Sequence, residues 1–245
     1  MSESSRSAFD SAAMRQSLIV ALDTDAHTAL TLARTLRGRV EWVKLGMTLY
    51  YSEGPEIVAR FVDLGYKVFL DLKLHDIPHQ VQGAAREIAR LGASMFTVHA
   101  AGGADMMQAA VAGACEGSSE CGADTPDVLA VTVLTSMDAA ALASVGCAYD
   151  PQTQVTRLTD LARSAGVQGI VCSPHEAAKA REALGIEALV VTPGIRPDWA
   201  PADDQSRIAT PSAALRAGAS HLVIGRPITS AADPASAVER IVMER

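Results

Sequence analysis

The sequence predicts a single-domain α/β protein folded as a (β/α)8 barrel, also called a TIM barrel. Three observations support this fold: a length of 245 residues, an excess of aliphatic over aromatic residues, and eight short apolar runs separated by helix-prone segments. A barrel of this class usually needs roughly 250 residues. The chain is therefore long enough for one barrel, and no change in composition along it marks a second domain.

The composition also limits the classes of partner. Hydrophobic residues make up 49% of the chain and aromatic residues only 4%, so the apolar side chains are mainly aliphatic ones, which fill parallel sheets. The net charge of −7 argues against nucleic acid, because binding to a phosphate backbone needs a basic face. A small anionic ligand needs only local positive charge and is compatible with this balance.

Most of the eight apolar runs are short and continuous rather than alternating, as expected for strands that are buried on both faces. They cover residues 18–22, 42–45, 68–72, 95–98, 128–134, 169–172, 188–191 and 221–224. The predicted helices between them cover residues 28–37, 55–64, 81–91, 104–116, 153–165, 176–184 and 211–217. An open, doubly wound sheet is the alternative, but no G-x-G-x-x-G follows the first run.

The N-terminal residues 1–14 are expected to form a flexible leader, followed by the barrel domain over residues 15–245. The leader lacks the basic start and apolar run of a signal peptide. No stretch of the chain approaches the ~20 apolar residues that span a bilayer. The four cysteines form no C-x-x-C pair, which predicts free thiols. We therefore expect a cytoplasmic protein without a membrane segment.

Polar or charged residues follow nearly every apolar run. Barrel enzymes place their active sites at the carboxyl ends of the strands, so these residues are candidates for the site. In chain order they are Asp23, Lys44, Asp71, Lys73, His99, Thr135, Ser173, Arg196 and Arg226. For His99, His175 and His221 we expect structural or solvated positions.

The third run ends in the densest set of charges. Asp71 and Lys73 lie two residues apart and should face the same side of a strand, with Asp76 just beyond. A lysine cation with movable donors is suited to delivering a proton. The alternative is an ordinary ion pair at a strand end. This alternative is less favoured because Lys44 and Asp23 add further charges on the neighbouring strands.

The seventh and eighth runs end in residues suited to phosphate. Gly225 allows an anion to approach backbone N–H groups, and Arg226 offers a planar fork to phosphate oxygens. Arg196 begins an irregular stretch, residues 196–208, whose length favours a functional lid. Gln205 lies within this stretch. An arginine paired with a surface acid, or a solvated glutamine, is the plainer alternative for these side chains.

Five sequence pieces resemble those of the orotidine 5′-phosphate decarboxylase family, in the same order. The most specific is D-L-K-L-H-D-I-P at residues 71–78. The others are A-L-D at 21–23, V-K-L-G at 43–46, T-P-G-I-R at 192–196 and G-R-P-I at 225–228. Asp203, Asp204, Gln205 and Arg207 also match the family's phosphate-gripping loop. The resemblance extends from residue 18 to residue 241.

The resemblance implies decarboxylation of orotidine 5′-phosphate to uridine 5′-phosphate, the last step of de novo pyrimidine synthesis, without cofactor or metal. Lys73 would protonate C6 of the pyrimidine. Asp71 would lie near the departing carboxylate, while Lys44 and Asp23 would bind the ribose hydroxyls and join the charged network. The remaining substrate contacts would be Thr135 beside the pyrimidine and Arg196, Gln205, Gly225 and Arg226 at the phosphate.

The resemblance also implies a homodimer with shared active sites, in which Asp76 and Ile77 reach into the partner's site. The family usually has Asn-Thr after the proline of the motif, and that threonine touches the ribose across the interface. Here the pair is His79-Gln80. We expect at most a replacement contact from Gln80.

Two other functions remain open at this stage. A magnesium-dependent sugar-phosphate decarboxylase or aldolase-like synthase would share D-x-K-x-x-D, but it typically continues with glycine where this chain has Ile77-Pro78. A non-catalytic sensor of phosphorylated ligands would keep the barrel without the chemistry. The intact set of Lys44, Asp71, Lys73 and Asp76 argues against the sensor.

Overall fold

The protein forms a closed parallel barrel. The structure is a computed structural model that describes residues 11–200 and 208–244. Within these residues eight strands follow one another in sequence order, and the last pairs with the first. The predicted (β/α)8 barrel is confirmed. The strands are β1 Leu18–Ala21, β2 Trp42–Gly46, β3 Lys67–Leu74, β4 Met95–His99, β5 Asp127–Val131, β6 Gly169–Val171, β7 Leu189–Thr192 and β8 His221–Ile224.

Helices surround the barrel, and all seven predicted helical segments are confirmed. The helices of the described residues are α1 (11–17), α2 Ala26–Leu36, α3 Met47–Glu53, α4 Glu56–Asp63, α5 Pro78–Arg90, α6 Ala104–Cys121, α7 Ala139–Ser144, α8 Pro151–Ala165, α9 Ala177–Leu184, α10 Pro211–Arg216, α11 Arg226–Thr229 and α12 Pro234–Val242. None of them is long and apolar enough to cross a membrane. Aspartates cap several helix starts, as Asp150 does by accepting from the N–H groups of Gln152 and Thr153.

Some boundaries differ from the prediction. β5 ends at Val131 rather than at residue 134, and β3 continues to Leu74 rather than ending at residue 72. Met14 is buried within α1, so the helical structure already includes residues 11–14 of the expected leader. Residues 1–10 lie outside the described part of the chain.

The apolar core has two layers. One lies between the barrel and its helices, and the other fills the interior of the barrel. Because side chains alternate along a strand, every second residue of each strand points inward. The interior layer closes the barrel beneath the site and consists of Ile19, Ala21, Trp42, Phe69, Met95, Leu129, Val191 and Val223.

Helices α5 and α6 pack closely together next to the loop that follows β3. A Cβ atom at Gly113 would lie 2.1 Å from the carbonyl oxygen of Gln82, so only glycine permits this approach. A salt bridge between Arg86 and Glu120 joins the same two helices. The pair therefore holds the start of α5 in place, directly after Asp76.

Candidate active site

Two adjoining cavities open at the carboxyl ends of the strands. Both are lined by Lys44, Pro193 and Val223, so they form one continuous site. The first has a mainly apolar wall and is completed by Phe69, Asp71, Lys73, Val131, Val133, Leu134, Thr135, Val171 and Cys172. The second is more polar and is completed by Ala21, Asp23, Gly194, Ile195, Arg196, Gly225, Arg226 and Thr229.

An alternating row of charges crosses the junction of the two cavities. The Lys44 Nζ atom lies 2.8 Å from Asp23 Oδ1 and 3.7 Å from Asp71 Oδ2. The Lys73 Nζ atom lies 2.8 Å from Asp71 Oδ1. These four residues come from the ends of β1, β2 and β3, which the closed barrel brings together. The structure thus brings together the four charged residues that the sequence predicted at the ends of these strands.

The buried carboxylate of Asp71 is the centre of this row. Its side chain is 13% exposed. Burial acts to raise its pKa, but the charges of Lys44 and Lys73, together with hydrogen bonds from Lys73 and Thr97, outweigh burial and hold the pKa below its usual value. Asp71 is therefore ionised at neutral pH and keeps both lysines in fixed positions.

Lys73 reaches Asp71 through an irregular backbone, not through the regular two-residue repeat that we expected. The pairing of β3 with β4 shifts register between Leu70 and Leu74. Lys73 has a φ of 53°, and no other non-glycine residue of the described ranges has a positive φ. The prediction that Asp71 and Lys73 meet is correct, but its geometric reason was wrong.

Thr97 of β4 is a site residue that the sequence reasoning missed. Its Oγ1 atom accepts a hydrogen bond from the Lys73 backbone N–H at 2.8 Å and donates one to Asp71 Oδ1 at 3.0 Å. Thr97 is fully buried. The available signal was a polar residue inside an otherwise apolar strand, since a buried hydroxyl needs a partner.

Gly46 allows the pair between Lys44 and Asp23 to form. A Cβ atom at this position would lie 2.6 Å from Asp23 Oδ1 and 3.2 Å from Lys44 Nζ. The glycine of the V-K-L-G piece is therefore a packing requirement of the charged row. Its φ of −89° is ordinary, so the requirement is one of space and not of backbone conformation.

The apolar wall of the first cavity includes Cys172, which the sequence reasoning did not select. Burial and the nearby Glu176 raise the pKa of the Cys172 thiol. The thiol is thus neutral and serves as part of the wall. Thr135, which the sequence selected as a site residue, also lines this cavity.

Arg196, Gly225 and Arg226 all line the second cavity. Arg196 is buried, and its backbone N–H donates to the Ala209 carbonyl at 2.9 Å. This bond closes the base of the irregular stretch that follows β7. Gln205, like Asp203, Asp204 and Arg207, lies outside the described residues, so its predicted contact is not located.

Asp76, Ile77 and Gln80 do not line the two cavities of their own chain. They belong to an uninterrupted exposed run, residues 75–80. The Asp76 carboxylate accepts the Ile77 backbone N–H at 2.7 Å, and Ile77 is 63% exposed. Spacing along the sequence therefore does not bring Asp76 to the charged row of the same subunit.

Comparison with known proteins identifies the family. The family described as "Orotidine 5′-phosphate decarboxylase / HUMPS family" matches residues 16–241. The chain belongs to the orotidine 5′-phosphate decarboxylase / HUMPS family. The resemblance inferred from five sequence pieces is thereby confirmed, and its extent agrees with the predicted span of residues 18–241.

Individual members of the family are similar over nearly their whole length. A protein of Anaeromyxobacter sp. (strain K) named orotidine 5′-phosphate decarboxylase is 51% identical over 225 residues, which is 91% of this chain and 96% of that protein. One of the same name from Heliobacterium modesticaldum is 48% identical, covering 93% of this chain and 94% of the relative. The crystal structure of orotidine 5′-phosphate decarboxylase from Lactobacillus acidophilus superposes with a TM-score of 0.84 at 39% identity, over 94% of this chain and 98% of that chain.

Proposed function

We propose that this protein is a carbon–carbon lyase that decarboxylates orotidine 5′-phosphate to uridine 5′-phosphate, the final step of pyrimidine biosynthesis. One observation carries the proposal: the Lys44–Asp71–Lys73 row lines an apolar cavity, and its Lys44 also borders an adjoining cavity that has two arginines. This division matches a substrate with a flat base at one end and a phosphate at the other. Relatives about half identical over most of their length carry the same name.

The substrate extends across both cavities. The pyrimidine occupies the apolar cavity beside Thr135, and the phosphate occupies the second cavity against Arg196, Gly225 and Arg226. The ribose lies between them, where Lys44 and Asp23 form their 2.8 Å pair and can exchange hydrogen bonds with its hydroxyls. Gln205 is proposed as a further phosphate ligand on sequence grounds alone.

The reaction breaks the bond between C6 and the carboxyl carbon, and its electron pair stays on C6 as carbon dioxide leaves. Lys73 stabilises this developing charge and then transfers a proton from Nζ to C6, and it regains a proton from solvent. Because Asp71 fixes the Lys73 ammonium at 2.8 Å, this cation is in place before the charge forms, which is how electrostatic catalysis works best. Asp71 also places a negative charge near the departing carboxylate.

The phosphate is remote from C6, yet gripping it contributes to rate. Interactions with Arg196 and Arg226 provide binding energy that the enzyme can use to orient the ring against Lys73. The polar lining of the second cavity supports this role. No step of the proposed mechanism uses a cofactor or a metal ion.

We further propose that the protein is a cytoplasmic homodimer with shared active sites. The exposed run at residues 75–80 begins two residues after Lys73, and an isoleucine that is 63% exposed there is a side chain that association would cover. Tyr51, at 71% exposed, lies on α3 at the same end of the barrel. Asp76 and Ile77 would then complete the partner's site, with Gln80 as a weaker contact.

The magnesium-dependent alternative is less favoured because the relatives reported above are named as orotidine 5′-phosphate decarboxylases. Adding the purified protein to orotidine 5′-phosphate should abolish the orotate absorbance and yield uridine 5′-phosphate at an equal rate with and without a chelator. An unchanged absorbance would refute the proposal. Loss of turnover on chelation, restored by magnesium, would favour the alternative.

A further inference from the structure

We propose that Thr97 is a positioning residue for the decarboxylation. Its single hydroxyl group holds Lys73 and Asp71 in their relative positions. This inference rests on the proposed function. Thr97 does not itself line either cavity. It acts through the two charged residues that do line the first cavity.

The first support is a defect in the pairing of β3 with β4. Leu70 pairs with Phe96 and Leu74 pairs with Val98. Between these two pairs β3 has the three residues 71–73, whereas β4 has only Thr97. The extra residues of β3 therefore cannot all pair with backbone groups of β4, and the strand bulges where the charged residues lie.

The second support is how the bulge is held. The bulge places Lys73 at a φ of 53°, a left-handed conformation that a lysine adopts only when its surroundings impose it. The Lys73 N–H donates to Thr97 Oγ1 at 2.8 Å. A side chain thus replaces the backbone acceptor that the ladder would have supplied.

The third support is the direction of the hydrogen bonds. A threonine hydroxyl has one proton to donate. Since the Lys73 N–H can only donate, Thr97 Oγ1 must accept from it, and its own proton is free to point to Asp71 Oδ1 at 3.0 Å. The same carboxylate oxygen receives Lys73 Nζ at 2.8 Å. The hydroxyl therefore fixes both the backbone of the proton donor and the carboxylate that orients its ammonium group.

Burial makes this arrangement specific. Thr97 is fully buried in β4, so water cannot readily replace its hydroxyl. Valine has nearly the same shape but neither accepts nor donates, and serine keeps the hydroxyl without the methyl group. These two substitutions separate the hydrogen bonds from packing.

The test compares Thr97→Val and Thr97→Ser in the full chain. In Thr97→Val we expect kcat to fall by about 100-fold, as displacement of a catalytic group by a fraction of an ångström to 1 Å can cause. KM and the inhibition constant for uridine 5′-phosphate should change by less than ~3-fold, the pattern of an interaction made in the transition state. Thr97→Ser should restore kcat to within ~5-fold of the unmodified protein.

The matched control is Thr132→Val. Thr132 is also buried, and its Oγ1 donates to the Val171 carbonyl at 3.0 Å, so this variant loses a comparable hydrogen bond that involves neither Asp71 nor Lys73. It should keep kcat while losing stability on thermal unfolding. Should Thr97→Val not fold, Thr97→Ala replaces it in the comparison with Thr97→Ser.

The inference is overturned if Thr97→Val keeps kcat within ~3-fold, or if Thr97→Ser is as impaired as Thr97→Val, because the hydroxyl would then not be the cause. Inactivity of the unmodified protein towards orotidine 5′-phosphate is a different result. It would remove the proposed function itself.

Discussion

Strand β3 has a lysine at each end, and the two lysines lie in opposite environments. Lys67, at the amino end, pairs with Glu41 at 3.3 Å, and the two side chains are 56% and 47% exposed. Lys73, at the carboxyl end, pairs at 2.8 Å with Asp71, which is 13% exposed. An exposed pair contributes little to stability, whereas the buried one fixes a cation inside a cavity. The same residue type therefore forms a solvent-exposed ion pair at one end of the barrel and part of the candidate active site at the other.

The two ends of the barrel interior differ in the same way. The amino end is closed by Trp42 and His221, whose rings meet edge to face with centroids 5.4 Å apart. The carboxyl end holds charged groups around open space. Stability should thus depend on the amino end and turnover on the carboxyl end, and the following changes test this division.

The largest expected effect is on turnover. Lys73→Ala should lower kcat by at least ~10³-fold, because it removes both the proton donor and the fixed cation. Lys67→Ala is the matched control on the same strand and should keep kcat within ~2-fold, since its ion pair is exposed. Steady-state assays and thermal unfolding of both variants check this. Retention of a tenth of the activity by Lys73→Ala would exclude it as the proton donor.

The next effect is on stability at the amino end. Burial is the main reason that the pKa of His221 falls from 6.5 to about 4, with Lys67 lowering it further and Glu41 opposing. Because the folded pKa lies below the unfolded one, His221 destabilises the fold as pH falls from 6.5 to 4, by up to ~3 kcal/mol. His221→Gln should lack this component in urea unfolding at pH 7 and pH 4.5, whereas the exposed His175→Gln should behave like the unmodified protein. Equal pH dependence of all three proteins would contradict the assignment.

A smaller effect concerns the phosphate end. Arg226→Ala should raise KM for orotidine 5′-phosphate by ~30-fold, the value of a charge-assisted hydrogen bond of about 2 kcal/mol. Conversion of the bare nucleoside orotidine should be nearly unchanged. Arg216→Ala removes an exposed arginine outside the cavities and should alter neither substrate's kinetics. An equal loss for both substrates in Arg226→Ala would place Arg226 away from the phosphate.

The smallest expected effect is a partial recovery of activity when two inactive variants are mixed. Lys73→Ala and Asp76→Ala should each be inactive alone, but mixed subunits should restore roughly a quarter of the activity, because half of the dimers would be mixed and each would hold one intact site. Exchange can be verified with subunits of different mass. No recovery after verified exchange would mean that Asp76 acts within its own subunit, despite its exposed position.

Much of the fold was predictable because parallel strands buried on both faces leave continuous apolar runs. All eight runs correspond to strands, and several residues at or near their carboxyl ends line the cavities, as Lys44 and Arg226 do. Some short helices, such as α3 and α11, were not predicted, because so few residues carry only a weak periodic signal. Their positions depend on packing against the barrel. The equally short α10 was predicted because Pro211 and Gly218 mark its two ends.

The sequence by itself determined the barrel, the charges at the strand ends and the family. Only the tertiary structure decided how those charges are held: Thr97 lies on a different strand from the residues it positions, and Gly46 leaves space for a pair between Lys44 of its own strand and Asp23, which follows β1. The physical reason is that local sequence encodes which face of a strand is apolar. A register shift between neighbouring strands, and the hydrogen bonds that compensate for it, depend on residues that meet only after the barrel closes.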